Sequence, residues 1–143
     1  MKTATFLLLF VCTSLLSAQS DYKNSASIIY QPVDNSFGLR LESHNIYASI
    51  TKGNYDYQYL VKINNHIKCS LGYFIPFSYA KILLGLNYDF FGEAKIYNPE
   101  FDDKALKHFS FEFGSVYKYK RFFFCVATDV IKWEPSISIG INF

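Results

Sequence analysis

His66 and Ser70 stand four residues apart in a stretch where polar residues recur at every second position, and Glu42 and Glu112 sit in similar stretches elsewhere. A hydroxyl, an imidazole and an orienting carboxylate are the parts of an acyl-transfer site. Lys68 lies between the pair and no enzyme-family signature surrounds it, so the two residues are expected to be structural and no catalytic role is assigned. His44, His66 and His108 show no metal-ligand spacing, and no metal or other cofactor is expected. Glu93, Glu100, Asp102 and Asp103 crowd one segment with the composition of a calcium loop, but equally that of a solvated connection, which is the reading preferred.

A larger ionisable set has a clearer logic. Arg40, Lys62, Lys68, Lys81 and Lys118 match Glu42, Asp56, Asp89, Glu112 and Asp129 in number, and all ten fall on the polar parity of runs whose other parity is apolar. Such period-two alternation belongs to strands with one apolar face. The elements that must position these charges are therefore strands, and nothing after the first twenty residues reads as a helix.

Residues 25–31 form the weakest run, ending at Pro32. Phe37, Leu39 and Leu41 then alternate until the phase breaks at Ser43, His44 and Asn45, after which Ile46, Ala48 and Ile50 carry the apolar set. Two strands of about seven residues would be too short to cross a membrane, which takes about 9–11, so 36–51 is read as one bulged strand. Gly53-Asn54 reads as a hairpin turn. Tyr55, Tyr57, Tyr59, Val61 and Ile63 follow on one face, then a turn at Asn65, a strand through Ile67, Cys69, Leu71, Tyr73 and Ile75, and another over 80–90. Residues 92–106 lack alternation and form the long loop. Phe109, Phe111 and Phe113 open a strand that reverses near Lys120, 122–130 follows, and Ile137, Ile139, Ile141 and Phe143 alternate to the end. The total is eight. Cys69 and Cys125 fall on opposite faces of this sheet, so a disulfide is not expected.

Met1 and Lys2 lead into an apolar run from Ala4 to Leu16 followed by Ser17, Ala18, Gln19 and Ser20, the layout of a secretory signal peptide over 1–20 with the cut after Ala18 or after Ser20. The remaining 21–143 make one domain with a net charge of about +1, which implies no nucleic-acid partner. With 20 % aromatic residues, 15 of them Phe, a soluble core of this size would struggle to hide the rings. A transmembrane barrel turns them outward, so the rows at Tyr55, Tyr57 and Tyr59 and at Phe109, Phe111 and Phe113 read as interface girdle rather than carbohydrate platforms. The fold expected is an all-β, eight-stranded antiparallel up-and-down transmembrane barrel, its narrow lumen filled by the paired charges. Reversals near 53, 76–79 and 119–120 then share one side with the termini, and those near 33, 65, 92–106 and 132–135 the other.

The ending, with Ile137, Ile139, Ile141 and Phe143 at alternate positions, resembles the signal by which outer-membrane barrels are recognised for assembly. With the signal peptide and the strand count, the mature chain resembles the small barrels related to the transmembrane domain of outer membrane protein A and to outer membrane protein X. That resemblance implies an outer-membrane location, contact with lipid, lipopolysaccharide and the barrel-assembly machinery, and a monomer with a structural or surface-interaction role. Two alternatives stay open: a secreted lipocalin-like barrel, with the same alternation inverted so that Tyr55 to Ile63 line a ligand cavity, and a lipid-A-modifying barrel hydrolase.

Overall fold

A computed structural model describes residues 23–57, 61–77, 80–92, 94–96 and 108–143, with side chains described for all of these except 55–57, 61, 62 and 94–96. Nine strands follow in order: β1 (Asn24–Gln31), β2 (Ser36–Ser43), β3 (Ile46–Tyr57), β4 (Val61–Phe77), β5 (Ala80–Phe90), β6 (Ala94–Ile96), β7 (Phe109–Tyr119), β8 (Phe122–Asp129) and β9 (Pro135–Asn142). Every neighbouring pair is antiparallel. β1 pairs with both β2 and β9, and β3 with both β2 and β4, so eight strands close into a barrel without an edge. The short β6 stands outside the circuit and pairs with the start of β4, Val61 opposite Ile96.

The count of eight agrees with the alternation, but two of its boundaries do not. Residues 36–51 are two strands, not one bulged strand. His44 and Asn45 both adopt left-handed backbone (φ 50° and 70°), the conformation of a two-residue hairpin turn whose twist matches its strands. Conversely, Gly53-Asn54 is not a turn: no glycine among the described residues has positive φ, and β3 runs on through a register shift between Gly53 and Tyr55. Asn65, with φ 58°, lies inside β4 and does not reverse the chain. One phase break read as a bulge is a turn, a further reversal separates β3 from β4 inside the run expected as one strand, and two expected turns are irregularities within that hairpin, so the errors cancel in the total.

Asn24 exchanges backbone hydrogen bonds with Phe143, placing both ends of the described chain at one end of the barrel, with the turns at 44–45 and 120–121, the end of β4 and the start of β5. The opposite rim, called here the loop end, carries 32–35, 130–134, the ends of β3 and β5 and the starts of β4 and β7. The reversals expected near 53 and 65 give way to one at 44–45 and one between the end of β3 and the start of β4, while β5 ends and β7 begins on the rim opposite the termini.

The two faces of the wall differ in kind. One mid-height row runs from Leu39 to Ile28 to Ile139, paired across β2, β1 and β9, and all three point outward with 59 %, 62 % and 61 % of their surface exposed. Ile50, Leu71, Leu86, Phe111 and Phe113 continue the apolar exterior on the other side of the barrel. The alternation of the sheet thus turns its apolar set outward, the reverse of what a soluble ligand-binding barrel requires. Ile63 is an exception, buried rather than on the outer wall, because the irregularity at Asn65 shifts the phase of β4.

Candidate functional site

The interior is where the chain concentrates its chemistry, and it is layered along the barrel axis. At the loop end His66 projects inward from β4 and meets two carboxylates: its Nε2 lies 2.6 Å from Asp89 Oδ1 and its Nδ1 3.4 Å from Asp34 Oδ2. Asp34 comes from the β1–β2 turn and also accepts the Ser36 hydroxyl at 2.5 Å. Burial pushes the Asp34 carboxyl up, but the facing His66 ring, the hydrogen bond from Ser36 and the nearby Lys68 charge outweigh it and hold it below the usual carboxylate range. The Phe91 ring stacks on His66, and Lys132 Nζ stands 5.2 Å from the same ring while donating to Asp89 Oδ2 at 2.5 Å. His108 donates from Nδ1 to the Asp89 carbonyl at 2.8 Å.

Asp129, at the end of β8, organises the next connection. Its Oδ1 accepts the backbone N–H groups of Ile131 and Lys132, each at 3.0 Å, and its Oδ2 accepts Asn87 Nδ2 at 3.1 Å and the Ser110 hydroxyl. Capping the turn in this way turns Lys132 and Glu134 into the barrel and leaves Trp133, in left-handed backbone, outside. Glu134 accepts Lys68 Nζ at 2.7 Å. The 130–134 connection is therefore pinned across the mouth by two ion pairs.

Midway along the axis, Arg40 Nη2 donates to Glu112 Oε1 at 2.6 Å, and the Tyr47 hydroxyl donates to Glu112 Oε2 at 2.8 Å. Arg40 also reaches Ser138 Oγ at 3.4 Å and Cys125 Sγ at 3.1 Å, and its guanidinium lies 4.8 Å from the Tyr47 ring centre. Space for that ring is made by the paired glycines Gly72 and Gly85. A Cβ on Gly85 would fall 1.8 Å from the Tyr47 hydroxyl oxygen and one on Gly72 2.5 Å from Cε1.

Beyond Tyr47 the interior becomes apolar. Phe74 stacks on Tyr47 at 4.9 Å between ring centres and tilts against Phe123 at 6.1 Å; Leu83, Val116, Cys125 and Ala127 complete the cluster. At the termini end charges return, with Glu42 taking Lys118 Nζ on one oxygen at 2.6 Å, Lys81 Nζ on the other at 3.1 Å, and the Ser25 hydroxyl at 2.6 Å.

Of the ten interior charges expected, Arg40, Glu42, Lys68, Asp89, Glu112, Lys118 and Asp129 are buried inside and Lys81 is partly buried at the mouth. Asp56 and Lys62 face each other in the register of β3 and β4, but their side chains lie outside the described residues. Sequence reading missed Asp34, Lys132 and Glu134, which reach the interior from connections rather than from strand alternation. It also missed the apolar layer.

The acyl-transfer arrangement is not assembled. Ser70 lies four residues along β4 from His66, about 13 Å at the rise of a strand, both ring nitrogens of His66 face carboxylates, and Glu42 and Glu112 belong to other layers. His44 bonds Ser43 at the surface, and no group of three His, Cys, Asp or Glu among the described residues is placed to hold a metal. Among the described residues the two cysteines are free, Cys125 buried inside and Cys69 half-buried in the wall. The carboxylates Glu93, Glu100, Asp102 and Asp103, and residues 1–20, lie outside the described residues. No family model, no curated protein and no solved structure matches the chain.

Proposed function

We propose that this chain is a small outer-membrane β-barrel, non-enzymatic, with a filled lumen and a structural or surface-interaction role carried by its loop end. The observation that supports this most is the inverted wall. Large aliphatic and aromatic residues cover the outside at alternate positions while Arg40, Lys68, Asp89, Glu112 and Asp129 occupy the inside. In water each such outward Leu, Ile or Phe would forgo about 1.5–3 kcal/mol of burial, whereas in a bilayer the same residues face a matching solvent. Ile137, Ile139, Ile141 and Phe143 all point outward, as an assembly signal read from the outside of the closing strand requires. The partners proposed are membrane lipid, lipopolysaccharide at the loop end and the assembly machinery, with the barrel acting as a monomer.

Fractionation followed by gel mobility with and without boiling tests the proposal. A chain that stays with the outer membrane through an alkaline wash and migrates faster unboiled supports it. Release as a soluble monomer refutes it. Activity on lipid A that is lost in both His66→Ala and Ser70→Ala would instead favour the hydrolase reading.

A further inference from the structure

The two ends of the barrel differ in charge. Among the described residues the termini end gathers the side chains of Lys23, Lys81, Lys118, Lys120 and Arg121 against one acidic side chain, Glu42. Lys81 and Lys118 are held inside the mouth by sharing Glu42. The other three are exposed and enter no ion pair among the described residues.

Their placement is specific. The Arg121 carbonyl accepts the Asn142 N–H at 2.8 Å, the Lys120 carbonyl accepts Asn142 Nδ2 at 3.2 Å, and Asn24, next to Lys23, exchanges hydrogen bonds with Phe143. Lys120 and Arg121 therefore stand on one side of the end of β9 and Lys23 on the other, two strand spacings or about 10 Å apart along the backbone. Immediately toward the wall lie Tyr119, Phe122, Ile141 and Phe143, all pointing outward, with Lys120 Nζ 5.4 Å from the Tyr119 ring centre. The cations border the apolar wall itself. A soluble anion has no use for that border, but a molecule with an anionic head and apolar tails fits both halves of it.

We infer that Lys23, Lys120 and Arg121 form a headgroup site for anionic phospholipid at the termini end, the acyl chains lying on Tyr119, Phe122, Ile141 and Phe143; the inference rests on the membrane reading above. Lys81 and Lys118 add a second tier of positive potential behind the site.

The test compares urea unfolding of the purified chain in vesicles of phosphatidylcholine with unfolding in vesicles that also contain phosphatidylglycerol, folding being verified by mobility without boiling. Phosphatidylglycerol is expected to raise the folded-to-unfolded ratio by about fivefold per basic residue at low salt, and added salt to abolish the gain. The triple variant Lys23→Gln, Lys120→Gln, Arg121→Gln is expected to lose most of it, the single variant Lys120→Gln part of it, and Lys52→Gln, at the opposite rim, none. Equal responses of the triple variant and the unmodified chain would overturn the site while leaving the membrane reading standing, since the barrel is folded in both. Inorganic phosphate added to phosphatidylcholine vesicles is expected to give no comparable gain; if it does, the ligand is a free anion and the lipid assignment fails. Failure to fold in either vesicle would sink both.

Discussion

Removing Glu112 should damage the barrel more than removing Arg40, although the two are partners in one ion pair. Their contact is 2.6 Å, with 2 % and 6 % of the side chains exposed. Breaking such a pair from one side costs about 3–5 kcal/mol, because the surviving charge has lost its solvent and its partner together. An orphaned carboxylate can escape by taking up a proton, whereas a guanidinium cannot. Glu112 would also retain the Tyr47 and Ser136 hydroxyls as donors after Arg40→Met, while after Glu112→Leu the guanidinium of Arg40 keeps only Ser138, Cys125 and the Tyr47 ring. Glu112→Leu is therefore expected near 5 kcal/mol, a loss of more than about a thousandfold in the folding equilibrium, and Arg40→Met near 3 kcal/mol. The double variant leaves the Tyr47 hydroxyl without its acceptor, worth about 1–3 kcal/mol, and should be more stable than Glu112→Leu alone. The assay is equilibrium urea unfolding in lipid vesicles, followed by fluorescence and by mobility without boiling, arranged as a double-mutant cycle. If the two single losses simply add, the interior is not held by this pair and the account of the layered lumen is wrong.

Three further outcomes follow from the same geometry. Ile139→Arg, in the mid-height row, should cost about 2–4 kcal/mol in vesicles while Phe143→Arg, at the termini end of the wall, costs about 0–1 kcal/mol; equal costs in the vesicle unfolding assay would mean that the wall has no bilayer depth. Gly85→Ala, which drives a methyl group to 1.8 Å from the Tyr47 hydroxyl oxygen, should lose about 1–3 kcal/mol in that assay, and Tyr47→Leu in the same chain should relieve much of the loss. Asp34 titrates below the usual carboxylate range when folded, so as the pH falls the unfolded chain takes up the proton first: the stability it confers is complete above about pH 4 and is lost as the pH drops through the folded value. Asp34→Asn should flatten that acid limb in unfolding measured across pH, and an unchanged limb would contradict the hydrogen-bonded cluster at the loop end.

Strand identity was legible wherever one parity was apolar and the other polar, as in β7 with Phe109, Phe111 and Phe113 against Ser110 and Glu112. The seven buried charges and the partly buried Lys81 could be assigned to the interior for the same reason. What misled was turn chemistry: His44-Asn45 makes a hairpin turn with no glycine, while Gly53-Asn54 has the residues of a hairpin turn and lies within β3. Backbone pairing across β2 and β3 decided the matter, and such pairing is not a local property. The apolar layer did leave a trace. Tyr73-Phe74-Ile75, Ile82-Leu83-Leu84 and Phe122-Phe123-Phe124 are apolar at both parities, and their middle residues are the ones that point inward toward the termini end. Asp34, Lys132 and Glu134 left none, because their direction depends on how Asp129 and Ser36 shape the connections around them.

The seam between β1 and β9 joins Ser25 to Asn142, Ala26 to Ile141 and Ile28 to Ile139, contacts between positions near opposite ends of the sequence. Loop-closure entropy makes such distant pairings slow to form. Until β9 is in place, β1 and β8 each present a bare row of backbone donors and acceptors beside an apolar face, the combination that invites pairing with another chain. Any delay in docking β9 therefore lengthens the exposure of those two rows. Edits that shorten or slow the docking of β9 should surface as aggregation even when the closed form they reach is sound.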